Sequence, residues 1–181
     1  VQSLPFARKH YRSYLPFMPY AVEQFDLRDY DLIISSSHAV AKGVITGPNQ
    51  LHISYIHTPM RYAWDLQHEY LPPSKRDLMA TAMRWMLMRL RQWDMLSAQR
   101  PDFLFANSHY ISRRISKVWR RESQVLYPPV DTLKFFPGNS KENFYVCACR
   151  LVPYKRVDLV LEAFKGMPDK QLVIIGDGPE F

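Results

Sequence analysis

Asp31-Leu32-Ile33-Ile34-Ser35-Ser36 reads as a short buried strand that stops on small polar residues, and the same arrangement returns along the chain. Gln50–Ile56, Asp102–Ala106 and Gln124–Tyr127 read as second, third and fourth strands. Segments with helical spacing separate them. One runs from about Lys75 to Ser97, with Ser74 as its N-cap and Asp77 three residues on. In it Leu78, Ala82, Trp85, Met86, Arg89, Leu90 and Trp93 recur at helical spacing. The methionines Met79, Met83, Met86 and Met88 read as core packing. Another helix spans 109–121, with Ile111, Ile115, Val118 and Trp119 facing inward. A fresh strand–helix–strand pattern then begins with Phe144–Cys149, Arg156–Phe164 and Gln171–Ile175. Strands that alternate with helices predict parallel sheets, hence an α/β protein.

Pro128-Pro129-Val130-Asp131 breaks this alternation, and Lys134 to Asn143 reads as a linker around Pro137-Gly138-Asn139. The expected organisation is one domain over 1–127, a linker over 128–143 and the start of a second domain over 144–181. Charge changes near the same place. Residues 1–122 carry 17 Lys and Arg against 10 Asp and Glu, whereas 123–181 carry seven of each. A basic half suits an anionic partner such as phosphates, lipid headgroups or nucleic acid; a soluble surface with surplus arginine would give the same count. Apolar residues make up 47% of the 181, enough to bury a core, and no apolar run approaches the roughly 20 residues of a membrane span. The chain opens on Val1 and stops directly after an apolar run, so it reads as part of a longer protein. Its start is aromatic, basic and interrupted by proline: Phe6, Arg8, Lys9, His10, Tyr14, Pro16, Phe17, Pro19 and Tyr20 predict helical turns broken by Pro. Such a segment is suited to rest on an anionic membrane surface.

Ligands of open parallel sheets bind beyond the carboxyl ends of the strands. The groups there are Ser35-Ser36-Ser37, His57-Thr58-Pro59, Asn107-Ser108, Pro128-Pro129, Arg150 and Gly176-Asp177-Gly178-Pro179. Arg150 ends a strand and Lys155 starts the next helix, so both cations point at one mouth. Arg can clasp two phosphate oxygens while Lys supplies a point charge, which is what a diphosphate needs; two solvated charges near a turn are the plain alternative. His57 is followed by Met60, Arg61, Tyr62, Trp64 and Asp65, a loop whose aromatic and polar groups suit a sugar, and which could equally pack on itself.

Other patterns lead nowhere. Gly176-Asp177-Gly178 opens like a dinucleotide fingerprint, but position 181 is Phe. Asp29-Tyr30-Asp31 precedes a strand where a metal-binding acid pair would follow one, and reads as a turn. Cys147 and Cys149 lie two apart on a strand, poorly placed to bridge each other and without further metal ligands. Arg113-Arg114 through Arg120-Arg121 is a basic helix face without a nucleic-acid motif.

Taken together, three segments resemble glycosyltransferase family 4. They are Arg150-Leu151-Val152-Pro153-Tyr154-Lys155-Arg156-Val157-Asp158-Leu159 with Glu162-Ala163-Phe164, the Leu172 to Glu180 stretch, and Tyr127-Pro128-Pro129-Val130-Asp131. Tyr55-Ile56-His57-Thr58-Pro59-Met60-Arg61-Tyr62-Ala63-Trp64-Asp65 is similar to a subgroup that includes mannosyltransferases of O-antigen and other polysaccharide assembly. The resemblance implies a GT-B fold, two Rossmann-like domains facing a cleft, both incomplete in this chain. It implies a retaining hexosyltransferase without metal or other cofactor, taking a nucleotide-sugar such as GDP-mannose to a saccharide or lipid-linked acceptor. It implies Arg150 and Lys155 on the donor diphosphate, His57 as the catalytic-site histidine touching the donor sugar, and Gly176, Asp177 and Gly178 as a donor-site loop. Arg61, Asp65, Asn107 and Ser108 become cleft candidates. A cytoplasmic location follows, at the inner face of the membrane if the basic start binds there, with no nucleic-acid partner. A sugar-nucleotide epimerase or phosphorylase of the same architecture, and a non-catalytic basic binding module, are the rival readings. The family's glycine-rich loop and paired glutamates would fall outside Val1–Phe181, so this piece alone is expected to be inactive.

Overall fold

A computed structural model of the chain describes residues 11–136, 138 and 141–181. The residues Phe6 to His10 of the basic start, and Pro137 and Asn139 of the linker, lie outside the described residues. The chain divides into two compact units, Val1–Pro129 and Val130–Phe181.

The first unit is built on a parallel sheet of four strands in the order β1 (Leu32–Ser37), β2 (Leu51–Ile56), β3 (Phe103–Ala106) and β4 (Gln124–Val125). The register pairs Ile33 with His52, Ser35 with Ser54 and Ser37 with Ile56, and continues as Ser54 with Leu104 and Ile56 with Ala106. These residues form the inner face of the sheet. The outer face carries Leu32, Ile34, Leu51 and Phe103, all exposed. β1 is therefore half-buried, not buried as its unbroken apolar run suggested. The reason is that side chains alternate along a strand, and the described helices pack on the inner face.

The connections explain themselves residue by residue. A 3-10 turn over Tyr11–Phe17 contains Pro16, and helix α1 (Met18–Glu23) starts with Pro in its first turn, where the missing N–H costs nothing. Glu23 then accepts from the Trp93 indole N–H at 2.9 Å and from Arg100 at 2.6 Å, fastening α1 to the far end of the long helix. After β2 the loop forms a short helix, α2 (Gln67–Tyr70). The long helix α3 covers Leu78–Ser97, and its cap is Asp77 rather than Ser74: the carboxylate accepts from Ala80 N–H at 2.6 Å. Helix α4 (His109–Trp119) is capped by Ser108 and ends on Arg120 in the left-handed conformation (φ 56°). Its inward residues Ile111, Ile115 and Trp119 pack with Ile56, Leu104 and Ala106, and Val118 joins them, as its periodicity predicts.

Helix α3 meets expectation in part: Leu90 is buried and Met86 and Trp93 pack against the core, but the rest of the stripe does not. Its buried face is Ala80, Leu87, Leu90, Asp94 and Ser97. Leu78 is 87% exposed, Met79 70% and Trp85 60%; Met83 and Met88 are exposed too. The helix carries apolar groups on both sides, so helical spacing alone cannot tell which stripe faces the core. Asp94 decides it, because its partners Lys42, Trp64 and Trp119 lie inside.

The second unit holds a two-stranded parallel sheet of β5 (Phe144–Ala148) and β6 (Gln171–Ile175), connected through helix α5 (Val157–Lys165). Tyr145 and Phe164 meet edge to face, their ring centroids 5.3 Å apart, where α5 lies on β5. Leu151, Val152 and Val157 are its buried apolar residues.

Candidate functional site

Two sets of residues sit at carboxyl ends of parallel strands, one in each unit. In the first unit, Ser36 at the end of β1, His57 just beyond β2 and Asn107 just beyond β3 continue the outer-face row of the sheet. Ser36 pairs with Tyr55, and His57 and Asn107 each lie two residues past an outer-face partner. The Ser36 hydroxyl meets His57 Nε2 at 2.8 Å. Three further contacts hold His57. Its N–H donates to the Ser37 carbonyl at 2.8 Å, its carbonyl accepts from Asn107 Nδ2 at 3.3 Å, and the Tyr55 ring meets its ring edge-on at 5.3 Å. Tyr55 is itself fixed, its hydroxyl donating to the Leu126 carbonyl at 3.0 Å. Ser108 donates to Asn107 Oδ1 at 3.1 Å while capping α4. His57 is exposed yet held in place, with one imidazole nitrogen engaged by Ser36 and the ring open to solvent. The sequence grouped Ser35-Ser36-Ser37 as one polar run; alternation along β1 sends only Ser36 to this row.

Arg61 and Asp65 do not join it. Asp65 is taken by Arg114 of α4 in a two-pronged ion pair. That guanidinium holds the Asp65 carboxyl below its ordinary value, with Arg61 adding a smaller electrostatic pull in the same direction. Arg61 is exposed.

Beneath the row lies a polar interior that the sequence did not announce. Lys42, in a 3-10 turn over Ala41–Gly43 after β1, has no exposed surface, and neither has Asp94 of α3. Their Nζ–Oδ1 distance is 2.6 Å. The other carboxylate oxygen accepts from the indole N–H groups of Trp64 and Trp119, both at 2.8 Å. Lys42 also donates to the Ala39 carbonyl and lies over the rings of Trp93 and Trp119. Burial lowers the Lys42 pKa, and Asp94 works against that shift. One ion pair thus ties the turn after β1, the loop after β2, α3 and α4 together, and it anchors Trp64 in the loop that begins at His57.

A second buried chain crosses β1 and β2. Ser35 Oγ and Ser54 Oγ share a hydrogen bond at 2.8 Å. His52 Nε2 lies 2.9 Å from Ser35 Oγ and is engaged by it. His52 Nδ1 is buried and without a partner among the described residues.

In the second unit, Arg150 follows β5 and is exposed, and Lys155 ends a 3-10 turn over Pro153–Lys155 just ahead of α5. Among the described residues neither has an ion-pair partner. Partial burial and the Cys147 thiol raise the Cys149 pKa, while the Lys155 ammonium lowers it, so that charge acts at the carboxyl end of β5. Lys155 reaches the helix two residues early because Arg156, in the left-handed conformation (φ 51°), intervenes and pairs with Asp158.

The glycines after β6 have a requirement of their own. A Cβ on Gly176 would lie 1.9 Å from the Cys149 carbonyl oxygen, and one on Gly178 would lie 2.0 Å from that of Leu151. The exits of β5 and β6 run backbone against backbone there, with Leu151 N–H donating to the Asp177 carbonyl at 3.0 Å. The close approach that demands glycine is thus made by the chain itself. Asp177 turns its carboxylate onto Gly178 N–H at 2.7 Å.

Among the described residues no group of three or more His, Cys, Asp and Glu side chains is placed to hold a metal ion, and no helix is long and apolar enough to cross a membrane. The chain matches no protein-family model, and no curated protein resembles it closely enough to count as a relative.

Proposed function

We propose that the chain is part of a retaining glycosyltransferase of GT-B type, which moves a hexose from a nucleotide-sugar to a saccharide or lipid-linked saccharide. GDP-mannose is the first donor to try. The observation that carries the reading is the pair of unneutralised cations, Arg150 and Lys155, at the carboxyl end of a parallel strand and ahead of a helix. A diphosphate leaving group gains negative charge as the glycosidic bond to the sugar breaks. Fixed cations at that point stabilise the transition state more than the ground state. In this reading His57, steadied by Ser36, meets the donor sugar, with the engaged nitrogen setting the ring's orientation.

Calorimetric titration of the protein with GDP-mannose and UDP-glucose tests this. A charge-assisted contact to phosphate is worth roughly 1.5–3 kcal/mol, so Arg150→Ala and Lys155→Ala should each weaken donor binding by about tenfold to a hundredfold. Unchanged affinity in both variants removes the diphosphate assignment.

A further inference from the structure

The flank of the first unit has a recess that the reading above does not use. It lies between the loop Trp64–His68 and the C-terminal half of α4, and measures about 500 Å³. Trp64, Gln67, His68, Arg91 and Lys117 line it. A smaller recess, walled by Tyr110, Arg113 and Arg114, adjoins it, sharing Asp65 and Lys117. Four cations from two helices therefore converge on a concave surface that has one carboxylate, Asp65.

The uses of those charges are unequal. Asp65 is consumed by Arg114. Arg91 donates to the Ala63 carbonyl and to Gln67. Among the described residues, Arg113 and Lys117 have no ion pair. Arg114 Nε–H is buried and finds no acceptor there. The surface thus holds surplus positive charge beside an indole ring, an amide and an imidazole. Anions bind such a surplus, and a sugar ring uses the other groups: C–H faces on the indole, hydroxyls on Gln67 and His68. The volume suits a ligand of this size.

We propose that this groove binds an anionic saccharide, a sugar that bears a phosphate or a carboxylate. That the bound sugar is the acceptor rests on the glycosyltransferase reading; the binding itself does not. Asp65 acts as a positioning residue, holding Arg114 so that the groove keeps its shape.

The probes are glucose 6-phosphate, glucose, inorganic phosphate and phosphatidylglycerol vesicles, titrated into the protein with tryptophan fluorescence and calorimetry as readouts. Glucose 6-phosphate should saturate, at least tenfold tighter than inorganic phosphate or glucose. The double variant Arg113→Ala/Lys117→Ala, whose side chains are exposed and whose loss leaves the core intact, should weaken it at least tenfold. Gln67→Ala should weaken glucose 6-phosphate and leave inorganic phosphate unchanged. GDP-mannose binding should survive the double variant, and glucose 6-phosphate binding should survive Arg150→Ala, so either assignment can fail alone. The proposal is overturned if glucose 6-phosphate does not saturate, if the double variant binds it as tightly as the wild type, if inorganic phosphate binds equally well, or if only the vesicles bind.

Discussion

His52 shows how a single residue can tie stability to pH. It has no exposed surface, and its Nε2 is engaged by the Ser35 hydroxyl. Burial lowers its pKa below the ordinary 6.5, with the Asp102 carboxylate working the other way. A lowered histidine binds fewer protons folded than unfolded. Stability therefore falls as pH drops below 6.5, the unfolded value, by at most about 1.4 kcal/mol per pH unit for this one group. Urea unfolding of the wild type between pH 7 and 5 should show that slope. His52→Gln keeps a hydrogen-bonding group for Ser35 and cannot titrate, so it should flatten the curve over the same window. Equal slopes in the two proteins would show that His52 is not the group responsible. Nothing in the sequence singled out this residue. His52 sits in an alternating strand where either face could have been the inner one, and in the fold it shares the inner face with Ser54, paired with Ile33 of β1.

Elements here are joined by polar groups as much as by apolar ones. Lys42 and Asp94 connect a turn, a loop and two helices, and both are wholly buried. Removing one member leaves the other as an uncompensated buried charge, so Lys42→Met should cost roughly 3–5 kcal/mol of unfolding free energy. The pair Lys42→Met/Asp94→Leu should recover part of that loss. Recovery stays partial because the indoles of Trp64 and Trp119 then lack their acceptor. A single variant as stable as the wild type by chemical denaturation would contradict this view of the pair. The short helix Gln67–Tyr70 was read as loop and β4 as four residues instead of two, but the strands and the longer helices were readable from apolar runs and spacing, within a residue or so at β2, β3 and β5 and without error at β6. The facing of α3 was not, since Leu78, Trp85 and the methionines compete with Leu87 and Leu90 for the core by spacing alone. The lone acid in that helix, Asp94 beside Trp93, was the available signal: a carboxylate amid tryptophan and leucine marks where a buried cation must be met.

At the scale of the whole molecule, the chain is an α/β protein of two compact units, each with a parallel sheet. The carboxyl end of each sheet carries exposed polar side chains. The row Ser36–His57–Asn107 was legible as strand ends, but its hydrogen bonds were not, because they join residues brought together by register. Arg150 was legible as a charge beyond the strand end; that Lys155 falls in a 3-10 turn ahead of the helix, with Arg156 between, was not. The central claim is that these two cations form a diphosphate site. Amide chemical-shift mapping of the isotope-labelled protein during titration with GDP-mannose tests it most directly. The account predicts saturable shifts over Cys149–Arg156 and Gly176–Gly178 that disappear in Arg150→Ala/Lys155→Ala. Shifts confined to other residues, or shifts that persist in that double variant, would contradict it.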